Sequence, residues 1–427
     1  MTTLRFGAID IDSAERRDLL EIYAAGVEAV NGRSCVARFV QGELRYDDGW
    51  NAGPVYVVSI GKAAARMAAG AFDIFGSNIT SALIITKAGH CEPLFAGNVP
   101  VRCFESAHPV PDETSFRAGE LLITFLDAAP ASARFIFLIS GGASSLVELP
   151  PVGVDASQVV RIHQWLLGAG LPIGSMNRVR KRISRLKAGR LATYLRGRET
   201  VNLLISDVPE DDPRVIGSGL LVEHGQIDID VSDIPLPSWI AALLINSPVL
   251  AEASAFAGIR MEVIAWPGLA RAAAAALAAR RGYQVKVHDY LVQGDANDVG
   301  ESIALQILAG APGVQIWSSE VTVTLPPAPG RGGRCQSLAL ATAITLAGQE
   351  NVYLLAAGTD GTDGPSMVTG ALVDGNTVQR GRYADRDAAK HLAAADAGSF
   401  LDVTQDLITT GPTGTNVMDL LVSLKTA

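Results

Sequence analysis

The chain has 427 residues, a net charge of −9 and a pI near 5.2, with 48% hydrophobic and 19% charged residues. That length exceeds what one core usually supports, so two domains are expected. The acidic balance excludes a broad nucleic-acid-binding surface but leaves room for a locally basic cleft around an anionic small molecule, and no window reaches the ~20 uncharged apolar residues of a membrane span.

The N-terminus, MTTLRFGAIDIDSAERRD, has early acids and no apolar core region, so no signal peptide is expected. Ser13 is placed to cap a helix from Ala14 to about Val30. Strands are expected at 55–60, 82–86, 101–105, 135–140 and 201–206, with helices between them. Ser115 is read as opening one of these helices, and two more are expected at 156–167 and 175–195. The run Phe135–Ile139 is continuously apolar and too short for a helix, which marks a parallel strand buried on both faces. Strands alternating with helices at this rhythm imply a Rossmann-like α/β/α domain on a parallel sheet with right-handed crossovers.

Residues 226–238, QIDIDVSDIPLPS, lose that rhythm, and the boundary is placed there, giving domains 1–235 and 236–427. The second is expected to be α/β with a mixed sheet: helices at 248–256 and 269–281, strands at 284–289, 314–318, 321–325 and 352–357, and a helix from Gln336. Cys35, Cys91, Cys103 and Cys335 form no CxxC pair, so reduced thiols in a cytoplasmic protein are expected.

Chemistry gathers at the strand ends. The turn Ser140-Gly141-Gly142-Ala143-Ser144-Ser145 follows the central strand, offering small residues, hydroxyls and backbone N–H groups where open α/β sheets bind anionic ligands; an ordinary strand-to-helix turn has the same composition. Lys62 follows strand 55–60 at the start of a helix, and Asp207 ends strand 201–206 in a loop that could hold Mg²⁺ or accept a hydroxyl proton. Arg331 and Arg334 lie in PGRGGR, a setting suited to bidentate recognition of phosphate or carboxylate. Asp360 and Asp363 share a Gly/Thr loop suited to Mg²⁺. The basic stretch 178–190 reads as a mostly solvated face, with Arg178 and Lys181 nearest to any anionic site; His90 and His108 lie in loops. No GxxxxGK[ST], GxGxxG or GxSxG motif is present. The residues therefore point to an enzyme of anionic small molecules, with a kinase ahead of a dehydrogenase.

Taken together, SIGKAAARMA (59–68), ESAHPVPDE (105–113), FLISGGASSLVELP (137–150), MNRVRKRISRLKAGRLA (176–192), LLISDVPEDDPRVIGSG (203–219), GRGGRCQSLALA (330–341), AAGTDGTDGP (356–365) and TTGPTGTNVMDL (409–420) resemble the glycerate 2-kinases, two-domain enzymes with a C-terminal MOFRL module, here about 313–427. The resemblance implies ATP- and Mg²⁺-dependent phosphorylation of D-glycerate at the 2-hydroxyl, in a cleft between the domains. It places the catalytic lysine on Lys62 and the catalytic arginine on Arg334, which would neutralise the transferring phosphoryl and the substrate carboxylate. On this reading Ser140 to Ser145, His108 and Arg178 hold phosphate or glycerate, and Gly332, Gly333, Thr359 and Gly361 face the nucleotide. Asp207, Asp360 and Asp363 are the candidates for metal binding or for orienting the 2-hydroxyl. The family commonly reads GGRNQE where this chain has Gly332-Gly333-Arg334-Cys335-Gln336-Ser337, so a changed polarity beside the arginine, and a related hydroxy acid as substrate, are expectations.

Some members of the family carry the name hydroxypyruvate reductase. That alternative needs a nicotinamide site, and no dinucleotide fingerprint follows any strand. A non-enzymatic ligand-binding protein is the third reading. No nucleic-acid or membrane partner is expected; a homodimer is left open, since no seam is legible.

Overall fold

Six strands build the sheet that positions the Gly/Ser turn: β1 (Val55–Ile60), β2 (Ile79–Lys87), β3 (Val101–Ser106), β4 (Arg134–Ile139), β5 (Thr200–Ile205) and β6 (Ile259–Ala265). Their order is β3-β2-β1-β4-β5-β6, and every pairing is parallel. β5 is buried throughout and β4 at all but its first residue, which is why they read as unbroken apolar runs. The order reverses between β1 and β4, the switch point where doubly wound sheets open a ligand crevice at their carboxyl ends. Ile60 of β1 stands opposite Ile139 of β4, so Gly61-Lys62 and Ser140-Gly141 leave the sheet level with each other. In this computed structural model residues 4–7, 9, 13–44, 50, 53–91 and 99–427 are described. Part of the N-terminal stretch read above as lacking a signal lies outside them.

A second sheet is mixed: β7 (Val285–Asp295), β8 (Gly313–Thr322), β9 (Val352–Gly358), β10 (Gly370–Asp374), β11 (Leu407–Ile408) and β12 (Asp419–Lys425), in the order β11-β10-β9-β12-β8-β7. Only β7 and β8 pair in parallel among these strands. Asp419 opens β12 opposite Ser319 of β8 and Gly358, the last residue of β9.

The chain divides into a parallel-sheet unit, Gly32–Ala265, and a mixed-sheet unit, Met1–Asn31 with Trp266–Ala427. This differs from a cut at 235/236 for two physical reasons. β6 pairs with β5 and so carries the first unit on to Ala265. The helix Ala14–Ala29 buries Leu19, Ile22, Tyr23 and Val27 against Ala274, Ile316 and Leu420 of the second. Its Arg16 is 2% exposed and ion-pairs with Asp374 (2.7 Å) and Asp406 (2.9 Å).

Other expectations need correction. The 175–195 helix stops at Arg182, because Ala188 (φ 54°) and Gly189 (φ 78°) turn the chain and Arg190 draws the carbonyls of Lys181, Ser184 and Lys187 onto its guanidinium. Lys181, Lys187 and Arg190 are buried, so this stretch is not a solvated face. The helix from Ser115 begins instead at Glu113, capped by Asp112. A 3₁₀ turn, Ala253–Phe256, replaces the 248–256 helix, and a helix forms at Ser238–Leu244. Strands 314–318 and 321–325 are one, β8, since its polar Ser318 and Ser319 are buried in the sheet. Cys91 and Cys103, expected as thiols, are joined as a disulfide with Cα atoms 6.1 Å apart; Cys35 and Cys335 are buried outside that disulfide. Among the described residues no helix is long and apolar enough to cross a membrane.

Candidate active site

In the parallel-sheet unit, the turns after β1 and β4 are stitched together at the switch point. Lys62 N donates to the Gly141 carbonyl (2.9 Å), Ala63 N to Ser140 Oγ (3.1 Å), and Ser140 N to the Ile60 carbonyl (3.0 Å). Ser140 is thereby spent on structure, and so is Ser145, whose hydroxyl donates to the Gly142 carbonyl at 3.1 Å. Gly142 has φ +86°, and a Cβ there would lie 3.0 Å from His108 Cδ2, 3.2 Å from His108 Nε2 and 3.4 Å from Lys62 Cγ. Only glycine admits that conformation and that approach without strain. The turn therefore passes between an imidazole and a lysine stem. Among the described residues the Gly141 and Gly142 N–H groups donate to no backbone carbonyl. Successive unclaimed N–H groups beside a lysine make an anion cradle. Ser144 Oγ, 2.7 Å from Ser218 Oγ, adds a hydroxyl pair.

Glu148, just beyond this turn, anchors it. Its carboxylate meets Lys187, both side chains are 0% exposed, and the carboxylate also accepts Leu149 N at 2.9 Å. Burial lowers the proton affinity of Lys187, and Glu148 opposes that shift. Arg178 is elsewhere: its guanidinium holds both oxygens of Asp233 (2.7 and 2.8 Å) and the Asp230 carbonyl (2.8 Å), which withdraws it from the expected anion site. Asp207 follows β5 at the same carboxyl edge and is half-buried.

In the mixed-sheet unit, Arg334 is the first residue of the helix Arg334–Thr345. Gly333 precedes it and offers no side-chain cap; Asp363 supplies one from outside the helix. Its carboxylate accepts Cys335 N (3.0 Å), Gln336 N (2.9 Å) and Gln336 Nε2 (2.8 Å). A Cβ on Gly333 would fall 2.3 Å from Asp363 Cγ, so the cap requires glycine there. Arg334 itself bonds to Glu320 through Nη1 and lies 3.3 Å from Asp419 Oδ2 through Nη2. Asp419, then Glu320, hold its proton affinity far above the ordinary value against the opposing effect of burial, so it is a permanent cation.

Several expected ligand contacts are occupied instead by the fold. Thr359 Oγ1 donates to the Met418 carbonyl (2.6 Å) and accepts Val417 N (2.8 Å), tying β9 to the entry of β12. A Cβ on Gly361 would meet the Gly411 carbonyl at 2.0 Å, and one on Gly332 would lie 3.3 Å from Gly398 N; both glycines pack against backbone. Asp360 Oδ1 accepts Thr362 N and Thr362 Oγ1, each at 2.9 Å. The three N–H donors on Asp363 leave it ill suited as a metal ligand, and among the described residues no three His, Cys, Asp or Glu side chains form a metal-holding group. Cys335 and Ser337 are 1% and 3% exposed, so the departure beside Arg334 is packed inside the helix rather than presented to a ligand.

Glu320, Asp419, Ser218, Glu148 and Lys187 were not singled out from sequence. The only linear signal is an acid opening the apolar run DLLVSL at 419–424.

Residues 18–234 match the domain of unknown function DUF4147, and residues 313–419 match the MOFRL family. The D-glycerate 2-kinase of Thermotoga maritima is 33% identical over 382 residues, 87% of this chain and 90% of that one. A protein of Agrobacterium vitis provisionally named hydroxypyruvate reductase is 33% identical over 424 residues, 96% of this chain and 94% of that one. The crystal structure of a Thermotoga maritima glycerate kinase superposes with a TM-score of 0.80 at 32% identity, covering 96% of this chain and 99% of that chain.

Proposed function

The chain belongs to the glycerate kinase family that joins a DUF4147 domain to a MOFRL module, and from that premise we propose that it transfers the γ-phosphoryl group of ATP to the 2-hydroxyl of D-glycerate, forming 2-phosphoglycerate and ADP. The observation that carries this reading is the cradle at the β1/β4 switch point. There Lys62 and His108 flank Gly142, and among the described residues two N–H groups carry no backbone bond.

Phosphoryl transfer asks little covalent chemistry of a protein; it asks for positioning and for positive charge on the phosphoryl oxygens. Lys62 and the N–H groups of Gly141 and Gly142 supply both to an oxyanion. Arg334 offers a fixed planar fork of donors for phosphate or carboxylate. Asp207, at the end of β5, is the carboxylate assigned to orient the 2-hydroxyl and take its proton as the oxygen attacks phosphorus and the bond to ADP breaks.

Mg²⁺, when bound, neutralises charge on the nucleotide phosphates. The acids here do not form a cage for it. That suits an ion carried in on the phosphates, touching one or two carboxylates at most, with Asp207 and Asp360 as the candidates.

Purified protein incubated with ATP, Mg²⁺ and D-glycerate should give a 2-phosphoglycerate signal by phosphorus NMR. A 3-phosphoglycerate signal would keep the kinase and move the acceptor position. Oxidation of NAD(P)H by hydroxypyruvate without ATP would favour the reductase name of the Agrobacterium vitis relative. Against that outcome stands the turn after β1, Gly61-Lys62-Ala63, which lacks the glycine spacing of a dinucleotide site.

A further inference from the structure

Arg334 sits where a cation is least at ease. It is the first residue of its helix, at the positive end of the helix dipole. Its long stem would also leave the guanidinium free to wander. Two carboxylates on adjacent strands answer both difficulties. Glu320 comes from β8 and takes Nη1; Asp419 opens β12 and lies 3.4 Å (Oδ1) and 3.3 Å (Oδ2) from Nη2. The two acids are not equivalent. The Glu320 side chain is 39% exposed and water-screened, whereas that of Asp419 is 5% exposed. Asp419 Oδ2 is buried and makes no hydrogen bond among the described residues, so Arg334 is the cation left to compensate it. Asp419 is itself held between Ser319 and Gly358 in the sheet, on a rigid element rather than a loop.

We propose that Asp419 is a positioning residue: it fixes the angle of the Arg334 guanidinium so that the donors not used by Glu320 and Asp419 meet a substrate oxyanion. The assignment rests on the role proposed above for Arg334. A guanidinium has five N–H donors; the bonds to the two acids use two, leaving three for ligand. Glu320, Asp363 and Asp360 raise the proton affinity of Asp419, and Arg334 is the cation among its neighbours that lowers it.

The test uses full-length protein with Arg334→Ala, Asp419→Asn and Glu320→Gln. ADP formation is measured against D-glycerate concentration, and the arginine Nη resonances are recorded by ¹⁵N NMR. Arg334→Ala should lose about a hundredfold or more in kcat/KM, the scale for a misplaced or missing charge. Asp419→Asn should lower kcat at least about tenfold with the glycerate KM within about threefold, as expected when only transition-state contact is lost. Glu320→Gln should cost less. Restricted rotation should give Arg334 separate Nη lines in the wild type and merged lines in Asp419→Asn. An Asp419→Asn enzyme with wild-type kcat beside a dead Arg334→Ala overturns the proposal and leaves the kinase reading standing. An active Arg334→Ala removes Arg334 from the chemistry, and the positioning role goes with it. If wild-type protein forms no ADP with glycerate, the Nη lines decide alone, and unchanged lines in Asp419→Asn overturn it. Should Asp419→Asn fail to fold, Asp419→Ser takes its place in both measurements.

Discussion

Gly142 allows conformational cost and site disruption to be measured apart. Gly142 and Gly153 share the left-handed conformation, with φ +86° and +81°. An alanine at Gly153 would meet nothing within 4 Å, whereas one at Gly142 would press on His108 at 3.0 and 3.2 Å and on Lys62 Cγ at 3.4 Å. Both substitutions carry the left-handed cost of about 1–2 kcal/mol for a residue with a Cβ. For a unit of this size that is a fall in Tm of roughly 2–8 °C. Gly153→Ala should stop there, with wild-type kcat and KM. Gly142→Ala must also displace the imidazole or the lysine stem by a few tenths of an ångström or more. Shifts approaching 1 Å at a reacting centre cost about a hundredfold, so a loss of roughly ten- to a hundredfold in kcat/KM is expected at a similar Tm. Steady-state kinetics and thermal melts on the two proteins decide it. If both keep wild-type turnover, the turn after β4 is not the phosphoryl cradle and the assignment of Lys62 and His108 fails with it.

Lys62→Ala should abolish most turnover without changing the melt, while Arg178→Ala, which breaks the exposed pair with Asp233 and the bonds to the Asp230 carbonyl and Ser175 Oγ, should leave kinetics unchanged and cost about 1 kcal/mol; the reverse order of effects would reassign the anion site. Lys187→Met leaves Glu148 buried and unpaired and should destabilise by about 3–5 kcal/mol in urea titration, and Lys187→Met/Glu148→Leu by much less. A double variant worse than the single one would contradict that reading. His163 is 3% exposed and its proton affinity is lowered to about 3 by burial, then by Lys187 and Arg180. The unfolded chain therefore binds a proton below pH ~6.5 that the folded one refuses, and stability falls on acidification by up to about 1.4 kcal/mol per pH unit. His163→Gln should remove that slope between pH 5 and 6.5, and equal slopes in the two proteins would count against a buried neutral imidazole.

What the linear pattern determined follows from short-range physics. A doubly buried strand must be apolar along its length, and a tight strand-to-helix turn must be small and polar; Phe135 to Ser145 states both, and the alternation of strands and helices states the rest of the parallel sheet except β6. The turn residues around Lys62 and Gly142 were legible for the same reason. Contacts between distant segments decided what remained. Arg178 looked like an anion ligand until Asp233, 55 residues on, claimed it. Lys187 and Arg190 looked solvated until Glu148 and the carbonyls of Pro248 and Val249 enclosed them. Asp363 looked like a metal ligand until it became the cap of a helix that begins 29 residues earlier in the chain. Asp419 gave only the signal of an acid opening an apolar run, which is ordinary until the sheet sets it beside Arg334. A side chain's type limits which partners it can take; which partner it has is set by strand order and register, and those are properties of the folded chain.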